Sequence, residues 1–192
     1  MAHFLTTPFA VATGLGLASS AYLFFGNVGM VTCGVIKMTT SAELREDLDL
    51  NADRALSLWA CMYENGARQF APSALVGTVA FFVASRTSSG SGRFATVMHQ
   101  KLASRLLLSA SLFSIAILPF TLLVMMPNIK PLIAARDRVR AQRRSKRDVT
   151  VFEGEEAAKI IKGIELWKLH NTGRMSIAFV AWALGTAAAL VS

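Results

Sequence analysis

The chain is poor in residues that bind metals or cross-link: two cysteines and three histidines among 192 residues. Cys33 and Cys61 match neither a disulfide framework nor a metal-ligand spacing, and read as small, soft apolar side chains. The histidines His3, His99 and His170 are far apart, which excludes the His-rich boxes of membrane di-iron oxygenases. No glycine-rich loop follows a strand pattern, so a dinucleotide or phosphate cradle is excluded as well. No acid near His170 suggests a Ser/His/Asp relay. Any chemistry is therefore expected to lack a metal or nucleotide held by recognisable ligands. Lys and Arg are missing from Met1-Ala2-His3-Phe4, ahead of the first apolar stretch, so the first segment reads as a retained span rather than a cleaved signal.

Charge is scarce too, at 17% of residues against 53% hydrophobic. With a mean hydropathy of +0.45, the chain is too apolar for a soluble domain. Stretches 4–36, 69–85, 106–129 and 175–192 hold no Asp, Glu, Lys or Arg. A membrane-crossing helix needs roughly 17–25 residues. The expected fold is all-α: a polytopic membrane four-helix bundle with amphipathic connecting helices. It forms a single domain over 1–192, with spans near 9–31, 70–85, 106–127 and 174–191 and a basic connector at 130–150. The net charge of +8 sits in loops between spans, pointing to a bilayer surface and away from nucleic acid.

The first span is rich in small residues (Gly14, Gly16, Ala18, Ala21), which let neighbouring helices approach closely. Over 37–69, Thr40 and Glu43 have capping-box spacing, predicting a helix start at Thr40. Leu56, Trp59, Met62, Tyr63 and Gly66 then recur at helical period. Glu64 and Arg68, four apart, are placed to pair. Pro72 is expected in the first turn of the second span, and residues 87–92 form a Ser/Gly turn. Pro119 is expected to kink the third span. Arg136, Arg138, Arg140, Arg143, Arg144, Lys146 and Arg147 read as a solvated basic helix touching anionic headgroups. Ile160, Ile161, Ile164 and Trp167 then share one helix side, and that helix is expected to run on into the fourth span. The first and third connectors hold 15 Lys and Arg, against four in the second and its flanks, which favours a cytosolic side for the former pair.

The polar residues that remain cluster at span ends. Trp167, His170, Asn171 and Arg174, at offsets 0, 3, 4 and 7, share one stripe of a helix. Asn128 closes the third span, Phe120 and Thr121 lie about two turns further in, and Trp59 and Tyr63 occupy the first connector. Together they are expected to line a pocket in the bundle. Beside this stands a plainer reading, with Trp167 as an interfacial anchor and Arg174 snorkelling to headgroups.

The stretches PFTLLVMMPNIKPL at 119–132 and WKLHNTGR at 167–174 resemble the two signature regions of the anthrone oxygenase-like family of small four-span membrane proteins. WACMYENG at 59–66 is similar to a third region, whereas the basic insertion at 136–147 matches no part of the pattern. The resemblance implies oxidation of an anthrone-like polycyclic aromatic polyketide to its quinone by molecular oxygen, without flavin, haem or metal. An anthrone methylene flanked by two rings loses a proton to give an electron-rich anion that can reduce oxygen itself. On this reading His170 is the general base. Arg174, with Asn128 or Asn171, holds the substrate oxygen. Trp167, Tyr63 and Phe120 enclose the flat rings, with Trp59 and Thr121 as further binding residues. The expected partners are that substrate, oxygen and a lipid bilayer, with no nucleic acid; homo-oligomerisation is compatible with the pattern. An endomembrane such as the endoplasmic reticulum is the expected location. Another tailoring step on a related natural product, or a non-catalytic binding or scaffold role, would use the same fold.

Overall fold

A computed structural model describes residues 7–87, 97–145 and 152–192, of which 93% are helical with no strand. The readings of the N-terminal tetrapeptide, of residues 88–92 of the Ser/Gly turn, and of Lys146 and Arg147 lie outside the described residues. The order is α1 (Pro8–Thr32), α2 (Val35–Thr40), α3 (Ala42–Asp47), α4 (Ala52–Thr87), α5 (Val97–Phe120), a π-helical turn (Thr121–Met125), α6 (Met126–Arg144) and α7 (Gly154–Val191). Among the described residues four helical stretches are long and apolar enough to cross a membrane, which makes this an integral multi-pass membrane protein.

Local chemistry explains the boundaries and corrects two expectations. The cap of α3 is Ser41, whose hydroxyl accepts from Leu44 N–H at 3.4 Å. Thr40 instead ends α2 and returns its hydroxyl to the Ile36 carbonyl at 2.7 Å. A β-hydroxyl one residue later reaches the open N–H groups equally well, so spacing alone left the register one residue off. Asn51 caps α4, its Oδ1 taking Arg54 N–H at 3.0 Å. Pro72 does not begin a helix: the connector and the second span form one 36-residue helix with Pro72 inside it. The proline removes one donor, a loss that a helix leaving a connector for an apolar run absorbs where neighbours or water meet the freed carbonyl.

Pro119 lies inside α5, and a π-turn starts two residues after it. There Met126 N–H bonds Thr121 O, five residues back. Pro127 follows this turn, lacks an N–H of its own and crowds the carbonyl four residues before it, so the wider turn relieves the conflict. Gly154 opens α7 at φ +54°, a conformation that side chains disfavour.

The chain divides into two compact units. The first comprises Met1–Gly26, Gln69–Pro119 and Arg174–Ser192. Its sequence carries no acidic residue and only Arg86, Arg93, Lys101, Arg105 and Arg174 as charges. We call it the apolar unit. Its core holds Phe9, Ala12, Phe81, Ala84, Leu107, Ala110 and Ala188. Phe81 is fully buried and lies against two glycines: a Cβ on Gly16 would stand 2.5 Å from the ring, and one on Gly185 2.6 Å. Lipid supplies no hydrophobic drive between helices, so such close contacts carry the packing. Ser111 Oγ donates to Thr78 O at 2.9 Å and Ser104 Oγ to Ser85 O at 2.8 Å, tying α5 to α4. Leu112 and Leu190 face outward, 60% and 82% exposed, as suits a surface wetted by hydrocarbon.

Gly16→Ala and Gly185→Ala are each expected to lower stability by about 1–3 kcal/mol through overpacking. The readout is a lower thermal midpoint in detergent. Gly14→Ala is the control and should not lower the midpoint, since a Cβ there meets nothing within 4 Å.

The second unit comprises Asn27–Arg68 and Phe120–Gly173 and holds every acidic residue of the sequence. In this polar unit Ile36, Leu56, Trp59, Met125, Ile129, Val139, Ile164 and Trp167 form a buried core. Met62, Tyr63, Phe120, Ile160 and Ile161 pack on it. The stripes expected on both connecting helices thus face inward. Asp53 is buried and its carboxylate accepts from Phe152 N–H at 3.2 Å.

Two further expectations change. Arg136 is only 4% exposed rather than solvated, and it pairs with Glu64 of α4 and with Asp137. Arg140 stands 3.9 Å from the other Glu64 oxygen. The ion-pair partners of Glu64 are therefore α6 arginines and not Arg68, because tertiary packing brings a guanidinium closer than the flexible same-helix pair would. Arg138, Arg140, Arg143 and Arg144 are exposed, as expected of a basic helix.

Candidate functional site

The sequence-predicted site residues fall mostly in the polar unit. Trp59 on α4 and Trp167 on α7 meet edge to face, with centroids 5.9 Å apart at 82°. Tyr63, one turn beyond Trp59, stacks on it at 5.5 Å and 7°. Both indoles are buried, Trp59 at 0% and Trp167 at 2% exposure, so Trp167 is not an interfacial anchor. Burial on this scale follows from the apolar stripes of α4 and α7 facing one core.

His170 lies one turn past Trp167 on α7, half-buried, with its Nδ1 enclosed and lacking a hydrogen-bond partner. Asn171 beside it is fully buried. Asn128, near the start of α6, donates from Nδ2 to Gly163 O of α7 at 2.9 Å. That bond uses one of its two amide hydrogens. Phe120, just before the π-turn, reaches the backbone of α7, where a Cβ on Gly173 would stand 3.0 Å from its ring. Thr121 begins the π-turn, and its carbonyl takes the Met126 N–H. π-turns recur at functional sites because they re-aim the side chains of one turn.

Arg174 belongs to the apolar unit. It is 9% exposed, and its guanidinium carbon lies 5.7 Å from the Phe70 centroid. Phe70 in turn meets Tyr22 at 5.6 Å. A buried cation over an aromatic face is favourable when desolvated, and Arg174 does not merely snorkel. Sequence reasoning missed Phe70 as this platform, Gly173 and Gly163 as backbone contacts, and Arg136 as a buried charge. No helical repeat links Gly163 to Gly173 on α7, so no local pattern marked either of them. The apolar unit also has a groove of about 530 Å³, walled by residues of α1 and α4 that include Leu15 and Val79.

A helical multi-pass membrane protein with an aromatic core bordered by an enclosed imidazole is the class these features define. The family model described as anthrone oxygenase matches residues 59–184, well over half of the chain and every residue of the candidate site. The chain belongs to the anthrone oxygenase family, and that membership places it among oxygenases. No curated protein and no solved structure gives a significant match.

Proposed function

We propose that the protein oxidises an anthrone-like polycyclic aromatic to its quinone with molecular oxygen, without a bound cofactor, in an endomembrane such as the endoplasmic reticulum. The reaction balances as anthrone plus O2 giving quinone plus water. His170 takes a proton from the methylene carbon. The resulting anion passes one electron to oxygen, and the radical and superoxide combine to form a carbon–oxygen bond. Once protonated, the peroxide loses the second hydrogen of that carbon as a proton, the O–O bond breaks, and hydroxide leaves as the carbonyl forms. The remaining amide hydrogen of Asn128 and the amide of Asn171 are suited to hold oxygen atoms of the substrate. Tyr63 and Phe120 offer aromatic walls to its flat rings.

One observation carries this reading within the family-matched region: an imidazole nitrogen enclosed beside an aromatic cluster and given no protein partner. A proton acceptor held without a competing partner suits base catalysis. The test is the full chain purified in detergent, given anthrone and 18O2 with a chelator present. Quinone carrying one 18O per turnover, faster than autoxidation, is the expected result. Quinone formation no faster than in protein-free detergent overturns the reading, whether or not anthrone binds.

A further inference from the structure

Building on that reading, we propose that Trp59 and Trp167 are catalytic residues, donating their indole N–H groups to the substrate carbonyl oxygen as it becomes an enolate. Neither Nε1 has a hydrogen-bond partner, although both side chains are buried, at 0% and 2% exposure. An indole N–H can only donate, and when buried it usually finds an acceptor. Burying a donor with no acceptor is costly, so an unmet one calls for an explanation.

The aromatic packing does not supply it. In an edge-to-face pair, at most one indole can point its edge at the face of the other. The face of Trp59 is moreover covered on one side by the stacked Tyr63 ring. The contact between the two indoles can therefore occupy at most one of their two N–H groups. His170 Nδ1, one turn along α7 from Trp167, is unmet too. Among the described residues of the polar unit, every neutral side-chain nitrogen or oxygen buried without a partner belongs to this trio.

Two unmet donors and an unmet imidazole complement one kind of ligand, a flat molecule with a carbonyl acceptor and an acidic C–H. As the imidazole takes the proton, negative charge moves through the rings onto the carbonyl oxygen. Donors already in place and shielded from water stabilise that charge most. The indole N–H does not give up its proton under these conditions, so it holds the oxyanion without competing with the base. The π-cloud of each indole packs the core while its N–H serves the substrate, a combination that phenylalanine lacks.

The experiment uses Trp59→Phe and Trp167→Phe in the full chain in detergent, which keep an aromatic ring and remove the N–H donor together with part of the indole. Each is expected to lower kcat for anthrone about 10–100-fold, less than loss of a full oxyanion-hole donor because a second remains. KM should stay within about twofold and the thermal midpoint within a few degrees. As an activity-independent readout, 15N-labelled tryptophan in the wild-type protein is expected to show two indole N–H resonances moving downfield when anthraquinone, a non-reacting carbonyl probe, is added. Folded Phe variants with wild-type kcat overturn the inference and leave the oxygenase reading intact. Should the variants not fold, indole resonances unmoved by saturating anthraquinone overturn it. A wild-type protein that does not turn over anthrone removes the oxygenase reading and this inference with it.

Discussion

His170→Ala is expected to lower turnover of anthrone by about 10²–10⁴-fold, the usual contribution of a positioned general base. That range corresponds to roughly 3–5 kcal/mol of barrier. The substrate makes this step decisive, because neutral anthrone reduces oxygen slowly and its anion readily, so everything after proton removal depends on the base. The variant should stay folded, since His170 is half-buried and its enclosed nitrogen bonds to no protein group. Added imidazole is expected to restore part of the rate if the side chain acts as a base. Turnover within threefold of wild type in a folded His170→Ala protein would remove His170 from the mechanism.

Glu64→Ala is expected to destabilise the protein by about 2–4 kcal/mol. Removing one partner of a buried ion pair typically costs about 3–5 kcal/mol because the other charge is left behind. The lower range applies here for two reasons: Glu64 is 36% exposed, and Asp137, 3.0 Å from Arg136 Nε, still offers a partner. Arg136, at 4% exposure, cannot turn out to water without opening the α4–α6 contact. The double variant Glu64→Leu with Arg136→Met should recover most of the loss, since a buried pair replaced by packed apolar side chains is often neutral or stabilising. Thermal midpoints of the two single variants and the double variant form the cycle. Strictly additive losses would show that the pair is not coupled.

How much could be read in advance differs from one feature to another. The crossing helices were legible because transfer into hydrocarbon is set residue by residue, so charge-free stretches announce themselves. The helix lengths were partly so: the run of the last connecting helix into the fourth span, one 38-residue helix, was foreseen, whereas the joining of the first connector to the run at 69–85 in one 36-residue helix was not. Polar residues at the end of that run continue the same hydrogen-bond ladder, and composition does not register that continuity. The stripes of Leu56, Trp59 and Tyr63, and of Ile160, Ile164 and Trp167, were visible because helical period is a local property. Their meeting in one core was not, because a stripe names a buried face but not what buries it.

The amino-acid order by itself determined an all-helical membrane chain, the apolar faces of its connecting helices and the signature residues by which its family is known. These follow from short-range quantities: the hydropathy of a run, the period of a stripe, the spacing within a turn. Tertiary structure decided which partners those residues meet. It put Phe81 between two glycines, Arg136 against Glu64 from 72 positions away, and Trp59 against Trp167 with neither N–H met. Each of these depends on which helix faces which, a choice governed by close packing and desolvated charge between segments that no local pattern links.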